Sequence, residues 1–162
     1  MLAAGLRQRR GFTLLELMVA LAIGALLVGL GAPAAVRMYA TMEYRDAVRG
    51  LQSAAAAARL RALNSGAAVD LMLEPDAHRY AVQRAGTTFK RDEADEVGSD
   101  LALEVRSARQ LTTEDGVAVI RFYADGSSSG GSITVARPGG SGVRLRVDWL
   151  LGRVTQEAPE PV

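Results

Sequence analysis

The segment 11–36 constrains this chain more than any other part, because Glu16 is its only charged residue. The rest of the segment consists of Gly, Ala, Leu, Val, Ile, Met, Phe, Thr and one Pro. A helix rises about 1.5 Å per residue, so roughly 25 residues span about 37 Å, more than the ~30 Å hydrocarbon core of a bilayer. Arg7, Arg9 and Arg10 precede the segment. The pattern therefore predicts a transmembrane helix with its basic end in the cytoplasm and the C-terminal body outside.

Glu16 is the anomaly within this apolar segment. A carboxylate inside a membrane helix costs up to roughly 3 kcal/mol on insertion scales, so it is expected to be paired and functional. A cleaved secretory signal peptide is an alternative, since Ala32-Pro33-Ala34 resembles a small-residue cleavage site. The apolar run is longer than the roughly 7–15 residues of such a peptide, and Glu16 interrupts it. The anchored helix is the better interpretation.

The start of the segment resembles the signal of a known family. Residues 11–16 read GFTLLE, between a short basic leader and the long apolar run. This resembles the type III signal of type IV pilins and type II secretion pseudopilins. Pro33 also matches a position at which that family often carries a proline. The resemblance implies that prepilin peptidase cleaves between Gly11 and Phe12 and that the new terminus at Phe12 is N-methylated. It also implies that Glu16 neutralises the N-terminal ammonium of a neighbouring subunit, because a buried carboxylate needs an opposite charge within about 4–6 Å.

Length and composition describe one domain plus an anchor, without cysteine chemistry. The chain has 162 residues, which is the size of a single ordinary domain with a short extension. Without the three arginines of a leader ending at Gly11, 16 basic side chains face 18 acidic ones, a formal charge of −2. This balance offers no electrostatic argument for nucleic-acid binding. The absence of cysteine excludes a disulfide framework, a thiolate metal site and a cysteine nucleophile.

A helical period continues beyond the anchor. We expect one helix over 12–65, with a transmembrane and assembly part at 12–36 and an amphipathic part at 37–65. Pro33 is expected to bend or loosen this helix rather than divide it, and Asn64-Ser65-Gly66 is expected to end it. The apolar stripe of the second part comprises Val36, Tyr39 or Ala40, Tyr44, Ala47, Val48, Leu51, Ala55, Ala58 and Ala62. Most of the charged and polar side chains are expected on the other face: Arg45, Asp46, Arg49, Gln52, Arg59 and Arg61.

After Gly66 the apolar period changes to two, which predicts antiparallel strands in a β domain over 66–156. Charged residues at 90–100 are expected to form a solvated, mobile loop, and residues 157–162 a disordered tail. The predicted strands are 69–73, 80–82, 101–105, 117–123, 132–136 and 143–149. On the first of these, Val69, Leu71 and Leu73 are expected to face the core, opposite Asp70 and Met72. On the last, the expected core-facing residues are Val143, Leu145, Val147 and Trp149.

Two later segments extend the resemblance to the whole chain. Residues 120–131 read IRFYADGSSSGG and residues 147–154 read VDWLLGRV. They are similar to the closing pattern of H-type minor pseudopilins (GspH) and of the related FimT and FimU minor pilins. The resemblance implies a pilin-like α+β fold, in which a long N-terminal helix packs on an antiparallel β-sheet domain. It also implies that the protein is anchored in the inner membrane by a single span and that its C-terminal domain lies in the periplasm.

The function implied by this resemblance is structural. The chain would be a minor subunit at the tip of the type II secretion pseudopilus. This fibre drives protein export across the outer membrane. Its partners would be the I-, J- and K-type minor pseudopilins, the major G-type pseudopilin and prepilin peptidase. A FimT- or FimU-like minor pilin that primes a type IV pilus or takes up DNA is the alternative.

Other residue patterns indicate no catalytic, cofactor or metal site. His78 is the only histidine and lies beside a turn, so a surface role is expected. The glycine-rich stretches 125–131 and 139–142 lack the lysine of a phosphate-binding loop and the strand–helix setting of a dinucleotide fingerprint, and are expected to be turns. Acidic residues at 92–100 lack the spacing of a calcium loop. We therefore expect a protein that is not an enzyme.

Three arginines near the C-terminus are relevant to the DNA-uptake alternative. Arg144, Arg146 and Arg153 would form a basic stripe if they shared a face. FimT-like pilins resemble each other in a Gly-Arg-x-Arg ending, of which Gly152-Arg153 carries only the first arginine. The outward face of a half-exposed strand accounts for Arg144 and Arg146 equally well.

Overall fold

The computed structural model describes residues 11–108, 111, 113 and 116–159, and no side chains at position 28 and at 30–37. Residues 1–10 of the leader expected at 1–11, and the side chains of Pro33 and Val36 in the expected span, therefore lie outside the described residues. The chain divides into two compact units, one ending at Ala40 and the other beginning at Thr41.

One long helix, α1, runs from Leu14 to Ser65. It continues through position 33 as a single element, so the expectation that Pro33 does not divide the helix is confirmed. At its end Gly66 adopts the left-handed conformation, with a φ of 64°, and its N–H donates to the carbonyl of Ala62 at 3.0 Å. Glycine takes this conformation without a steric penalty, which explains why the helix stops where the sequence predicts.

The rest of the second unit consists of two four-stranded antiparallel sheets. In the part of the chain that the structure describes, the strands are β1 Val69–Glu74, β2 Arg79–Arg84, β3 Asp95–Glu96, β4 Ala102–Arg106, β5 Ala118–Phe122, β6 Gly131–Ala136, β7 Gly142–Val147 and β8 Val154–Glu157. The first sheet has the order β3-β2-β1-β5, and the second has the order β4-β6-β7-β8. The predicted α+β class, with a long N-terminal helix and antiparallel strands, is confirmed.

A single core joins both sheets to the part of α1 that belongs to the second unit. The apolar stripe predicted for the helix is confirmed from Tyr44 onward, and Leu51 and Ala58 are completely buried. The small side chains of the stripe allow the sheets to approach the helix backbone closely. The sheets contribute the fully or almost fully buried Leu71, Leu73, Ile120, Phe122, Ile133, Val135, Leu145 and Val147.

The alternation predicted for β1 does not separate a buried face from an exposed one, because both faces of β1 are covered. Asp70 is 2% exposed and Met72 is also buried. A second small apolar cluster lies on this face, where Met72, Val117 and Val119 pack against Phe89 and Leu111. The period-two pattern failed here because segments distant in sequence fold over the outer face of the first sheet.

The expectation of a solvated segment at 90–100 is confirmed, since most of its side chains are exposed, but the segment is not entirely a loop. This segment contains a short 3-10 turn, Arg91–Glu93, and β3, which pairs with β2 as the edge strand of the first sheet. Val97 is buried, and its N–H donates to the carbonyl of His78 at 2.7 Å. One apolar anchor placed between charged residues is enough to hold the segment, because the charges face outward and pair with neighbours on the same edge.

His78 is half-buried rather than a plain surface residue. It adopts a left-handed conformation with a φ of 53°, which is uncommon for a residue other than glycine. Its ring Nε2 lies 2.8 Å from the carbonyl oxygen of Leu101, which is buried. His78 therefore connects the turn after β1 to the end of the charged segment, and its role is structural.

The fold ends later than the sequence predicts. Residues up to Glu157 form β8, which pairs with β7, so Glu157 belongs to the β domain and not to the tail expected at 157–162. Positions 160–162 lie outside the described residues. The polar sequence of β8 has no apolar alternation, because the strand lies at the edge of the second sheet with few buried side chains.

Candidate functional site

The segment implied to be the processing site precedes the helix. Gly11, Phe12 and Thr13 lie outside α1, and the Phe12 side chain is 82% exposed. The Thr13 hydroxyl accepts a hydrogen bond from the Glu16 N–H at 3.2 Å, and the Thr13 carbonyl accepts one from the Leu17 N–H at 3.2 Å. Thr13 is thus the N-cap of the helix. The Thr-x-x-Glu spacing of Thr13 and Glu16 is typical of a helix start, but the prediction of the helix from sequence did not use it.

Glu16 lies in the first turn of α1 and is exposed in the single chain. A carboxylate at this position interacts favourably with the positive end of the helix dipole. Gly11 and Phe12 therefore lie just before the helical turn that contains Glu16, at the same end of α1. A free amino group at Phe12 would add a positive charge where the helix dipole is already positive, which a nearby carboxylate would offset.

The first unit presents an apolar surface. Every large apolar side chain from Phe12 to Leu27 is at least half exposed: Phe12, Leu14, Leu15, Leu17, Met18, Val19, Leu21, Ile23, Leu26 and Leu27. A contiguous apolar surface of this size marks a region that contacts lipid or other proteins.

Among the residues that the structure describes, no helix has the length and apolar character needed to cross a membrane.

The two C-terminal motif segments lie against each other. The loop after β5, residues 123–130, contacts the turn after β7, residues 148–153. The N–H of Ser128 donates to the carbonyl of Trp149 at 2.8 Å, and the Ser128 hydroxyl donates to the carbonyl of Asp148 at 2.9 Å. Ser128 is buried, so these bonds are shielded from water. The contact joins the end of β5 in the first sheet to the end of β7 in the second. The residues of the two motif segments therefore have a structural role, which is to hold the two sheets together.

Arg59 holds the same contact from the helix side. Its Nε donates to the carbonyl of Gly126 at 3.1 Å, and its side chain lies beside Gly152. The sequence pattern placed Arg59 on the solvent face of α1, and this expectation is wrong. No local signal identifies Arg59, because its partner is a backbone carbonyl 67 residues away.

The expectation that Trp149 faces the core is wrong, because Trp149 is 65% exposed. The strand β7 ends at Val147, and the following turn is closed by Asp148, whose Oδ1 accepts the N–H groups of Leu150 and Leu151 at 3.0 and 2.7 Å. An aspartate closing a turn in this way ends the alternation of the strand. Leu150 and Leu151 are exposed as well.

The arginines considered for DNA binding do not form a purely basic stripe. Arg144 and Arg146 lie on the outer face of β7, as predicted, opposite Glu157 and Thr155 of β8. Arg146 lies 3.7 Å from a carboxylate oxygen of Glu157. On β4, the same sheet carries an exposed ion pair between Arg106 and Glu104, at 3.1 Å. This face therefore carries charges of both signs.

Two carboxylates elsewhere have ion-pair partners. Asp70 binds Arg121 in a bidentate ion pair, with Nε–Oδ1 at 2.7 Å and Nη2–Oδ2 at 2.8 Å. Donating these hydrogen bonds to Asp70 raises the pKa of Arg121. The Arg91 side chain hydrogen-bonds to Glu74 and lowers the pKa of that carboxyl. Within the described ranges, no group of histidine and acidic side chains has the arrangement of a metal site.

The long helix packed by its second part on antiparallel sheets, with GFTLLE at its start, defines a type IV pilin-like protein. Two solved structures share this fold. The type IV minor pilin FimU of Pseudomonas aeruginosa covers 74% of this chain and 95% of its own, with a TM-score of 0.57 and 16% identity. The minor pseudopilin EpsH from the type 2 secretion system of Vibrio cholerae covers 74% of this chain and 99% of its own, with a TM-score of 0.54 and 12% identity.

Within this class, the chain belongs to the GspH family of type II transport proteins. The GspH family model matches residues 47–151, and the prokaryotic N-terminal methylation motif matches residues 6–32. The type II secretion system protein H of Xanthomonas campestris pv. campestris is 30% identical over 154 residues, which cover 91% of this chain and 83% of that protein. The chain is a minor pseudopilin of a type II secretion system, as the resemblance implied.

The family is one of structural subunits that interact with other pseudopilins. A membrane-anchored protein with its domain in the periplasm is typical of the family and of its methylation motif.

Proposed function

We propose that this pseudopilin is made with a leader ending at Gly11, crosses the inner membrane once through residues 12–36, and holds its β domain in the periplasm. Cleavage before Phe12 then allows the subunit to leave the bilayer and join the pseudopilus. The observation that supports this most strongly is the apolar surface from Phe12 to Leu27, which begins directly after a non-helical Gly11–Phe12 bond. In the fibre, lipid contacts along this surface are replaced by contacts with other helices.

In this proposal Glu16 sets the register of assembly. The methylated ammonium at Phe12 of one subunit pairs with the Glu16 carboxylate of its neighbour, since each charge alone is costly in an apolar fibre core. Thr13 supports the arrangement by starting the helix at Leu14, which orients the first turn containing Glu16. The prepilin peptidase and the I-, J-, K- and G-type pseudopilins are the proposed partners, with this subunit near the tip.

The experiment that tests processing is an intact-mass measurement with N-terminal sequencing of the full-length protein extracted from membranes. It compares cells that contain the prepilin peptidase with cells that lack it. We expect a chain beginning at N-methylated Phe12 only when the peptidase is present. A chain that still begins at Met1 in both strains, or that is cut near Ala34, would contradict the proposal.

A further inference from the structure

The turn after β7 carries an exposed apolar surface that neither the core nor the processing site uses. Trp149, Leu150 and Leu151 are consecutive and 65%, 59% and 52% exposed. Leu63, exposed near the end of α1, lies against Gly126 beside this turn. Large apolar side chains grouped in this way on a soluble domain mark a protein interaction surface, and tryptophan is among the residues that contribute most to such surfaces.

This surface is held in place by hydrogen bonds. Asp148 Oδ1 accepts the N–H groups of Leu150 and Leu151, and Asp148 receives the N–H of Gly152 on its backbone carbonyl at 2.9 Å. The buried Ser128 fixes the Trp149 carbonyl from the neighbouring loop. A turn that is already ordered loses little conformational entropy when a partner binds, which favours affinity.

A groove beside Trp149 indicates the charge of the partner. The groove has a volume of about 580 Å³ and is lined by Trp149, Arg144, Arg146 and Glu157, among others. The ion pair between Arg146 and Glu157 is long, at 3.7 Å, so the Arg146 guanidinium retains donors for another carboxylate. Guanidinium groups beside an exposed indole favour a partner that offers carboxylates around an apolar side chain.

We propose that this docking surface, formed by Trp149–Leu151 and the adjoining groove, binds the periplasmic β domain of a neighbouring pseudopilin. The neighbour places an apolar side chain against Trp149 and carboxylates near Arg144 and Arg146. The proposal rests on the proposed function, because a fibre of such subunits brings their β domains side by side. An anionic bilayer fits the surface less well, because the groove is concave.

The test is photo-crosslinking of the full-length protein in cells that express the complete secretion system. The photoreactive amino acid p-benzoylphenylalanine replaces Leu150 in one variant and Thr88, exposed on the first sheet's side, in the control. After irradiation, mass spectrometry identifies the attached peptide. We expect a peptide containing Asp or Glu from the β domain of another pseudopilin, at about ten times the yield from Thr88. Attachment to lipid, attachment to a second copy of this chain, or equal yields at both positions would overturn the proposal.

A charge reversal tests the role of the groove. In the Leu150 probe, we expect Arg146→Glu to lower the yield about tenfold, while Arg84→Glu, a matched reversal on β2, leaves it unchanged. Reversing the charge of the crosslinked carboxylate in the partner should restore the yield with Arg146→Glu. Equal effects of the two reversals would contradict the role of the groove.

The two proposals fail in different ways. A chain that begins at Phe12 and supports secretion, but gives no adduct with a pseudopilin from position 150, would overturn the docking surface alone. A chain that is never processed would overturn the proposed function, whatever the crosslinks.

Discussion

At the scale of single residues, Asp70 and Arg121 form an ion pair on the outer face of the first sheet. Asp70 is almost completely buried, while Arg121 keeps part of its side chain in contact with solvent. A buried carboxylate is tolerated when a bidentate guanidinium satisfies it. The pair ties β1 to β5 at the register position where the two residues are direct partners.

We expect Asp70→Asn to destabilise the β domain by about 2 kcal/mol, since Arg121 would lose its counter-charge but could still reach solvent. The free energy of unfolding is measured on the full-length protein in detergent by chemical denaturation followed by circular dichroism. The matched control is Asp46→Asn on the exposed face of α1, expected to change stability by less than about 0.5 kcal/mol. Equal effects of both changes would show that the ion pair does not contribute.

Glu74 is expected to stabilise the folded state at neutral pH and to lose this effect in acid. Hydrogen bonding from Arg91 lowers the pKa of the folded-state carboxyl, so the stabilisation is complete above the unfolded pKa and disappears as the pH falls through the folded pKa. We therefore expect wild type to exceed Glu74→Gln in stability at pH 7, with the difference vanishing as the pH drops below about 4. Denaturation series from pH 7 to pH 3 measure it. A difference that stays constant over this range would contradict the assignment.

At the scale of structural elements, the contact between the β5–β6 loop and the β7–β8 turn depends on close backbone approach. Gly152 has a φ of 59°, and a Cβ at this position would lie 2.5 Å from the carbonyl oxygen of Gly126. Gly66 has almost the same φ, 64°, but no atom lies within 4 Å of the corresponding Cβ position. The two glycines therefore separate backbone strain from steric conflict.

We expect Gly66→Ala to cost about 1 kcal/mol through strain alone and Gly152→Ala to cost at least about 2 kcal/mol, because the loop must also move. Thermal unfolding of both variants in detergent provides the comparison. Similar losses for the two variants would indicate that the loop and turn separate without cost.

The charged edge of the first sheet offers a second test at this scale. The N–H groups of Val97 and Leu101 donate to the carbonyls of His78 and Gly98, and both side chains are buried. We expect their amide hydrogens to exchange at least about tenfold more slowly than that of Thr88, and Val97→Ala to abolish this difference. Hydrogen-exchange mass spectrometry or NMR measures the rates. Fast exchange at Val97 in the wild-type protein would support the mobile loop expected from the sequence instead.

At the scale of the whole molecule, the two proposals assign different parts of the chain to different contacts in the fibre. The apolar first part of α1 and Glu16 would serve the fibre core, whereas the β domain would present its own surface to neighbours. A fibre subunit must satisfy both sets of contacts at once, so a defect in either is expected to reduce incorporation without unfolding the protein.

We expect Glu16→Ala to leave the membrane level of the protein unchanged but to reduce its recovery with sheared or purified pseudopili about tenfold, since the neighbour's ammonium would lack a partner. Glu16→Asp, which keeps the charge on a shorter side chain, should retain part of the incorporation. Secretion of a reporter substrate is measured in the same cells. Normal assembly and secretion with Glu16→Ala would rule out the pairing role.

By itself, the amino-acid sequence determined the long helix and its stop at Gly66, the buried stripe from Tyr44 onward, most strands and the family. These features arise from local causes: helical and strand periods, a glycine at a left-handed position, and the short GFTLLE signal. The processing site at Gly11 and Phe12 and the assembly role of Glu16 rest on the same short segment, and both stay predictions.

Only the tertiary structure decided which surfaces are covered and which remain open. Asp70 and Met72 are buried because segments distant in sequence cover them, and Arg59 donates a hydrogen bond to a carbonyl 67 residues away in sequence. Trp149 is exposed because Asp148 closes a turn one residue before it. Alternation along a strand reports the two faces of that strand, but what lies on each face depends on where the rest of the chain folds.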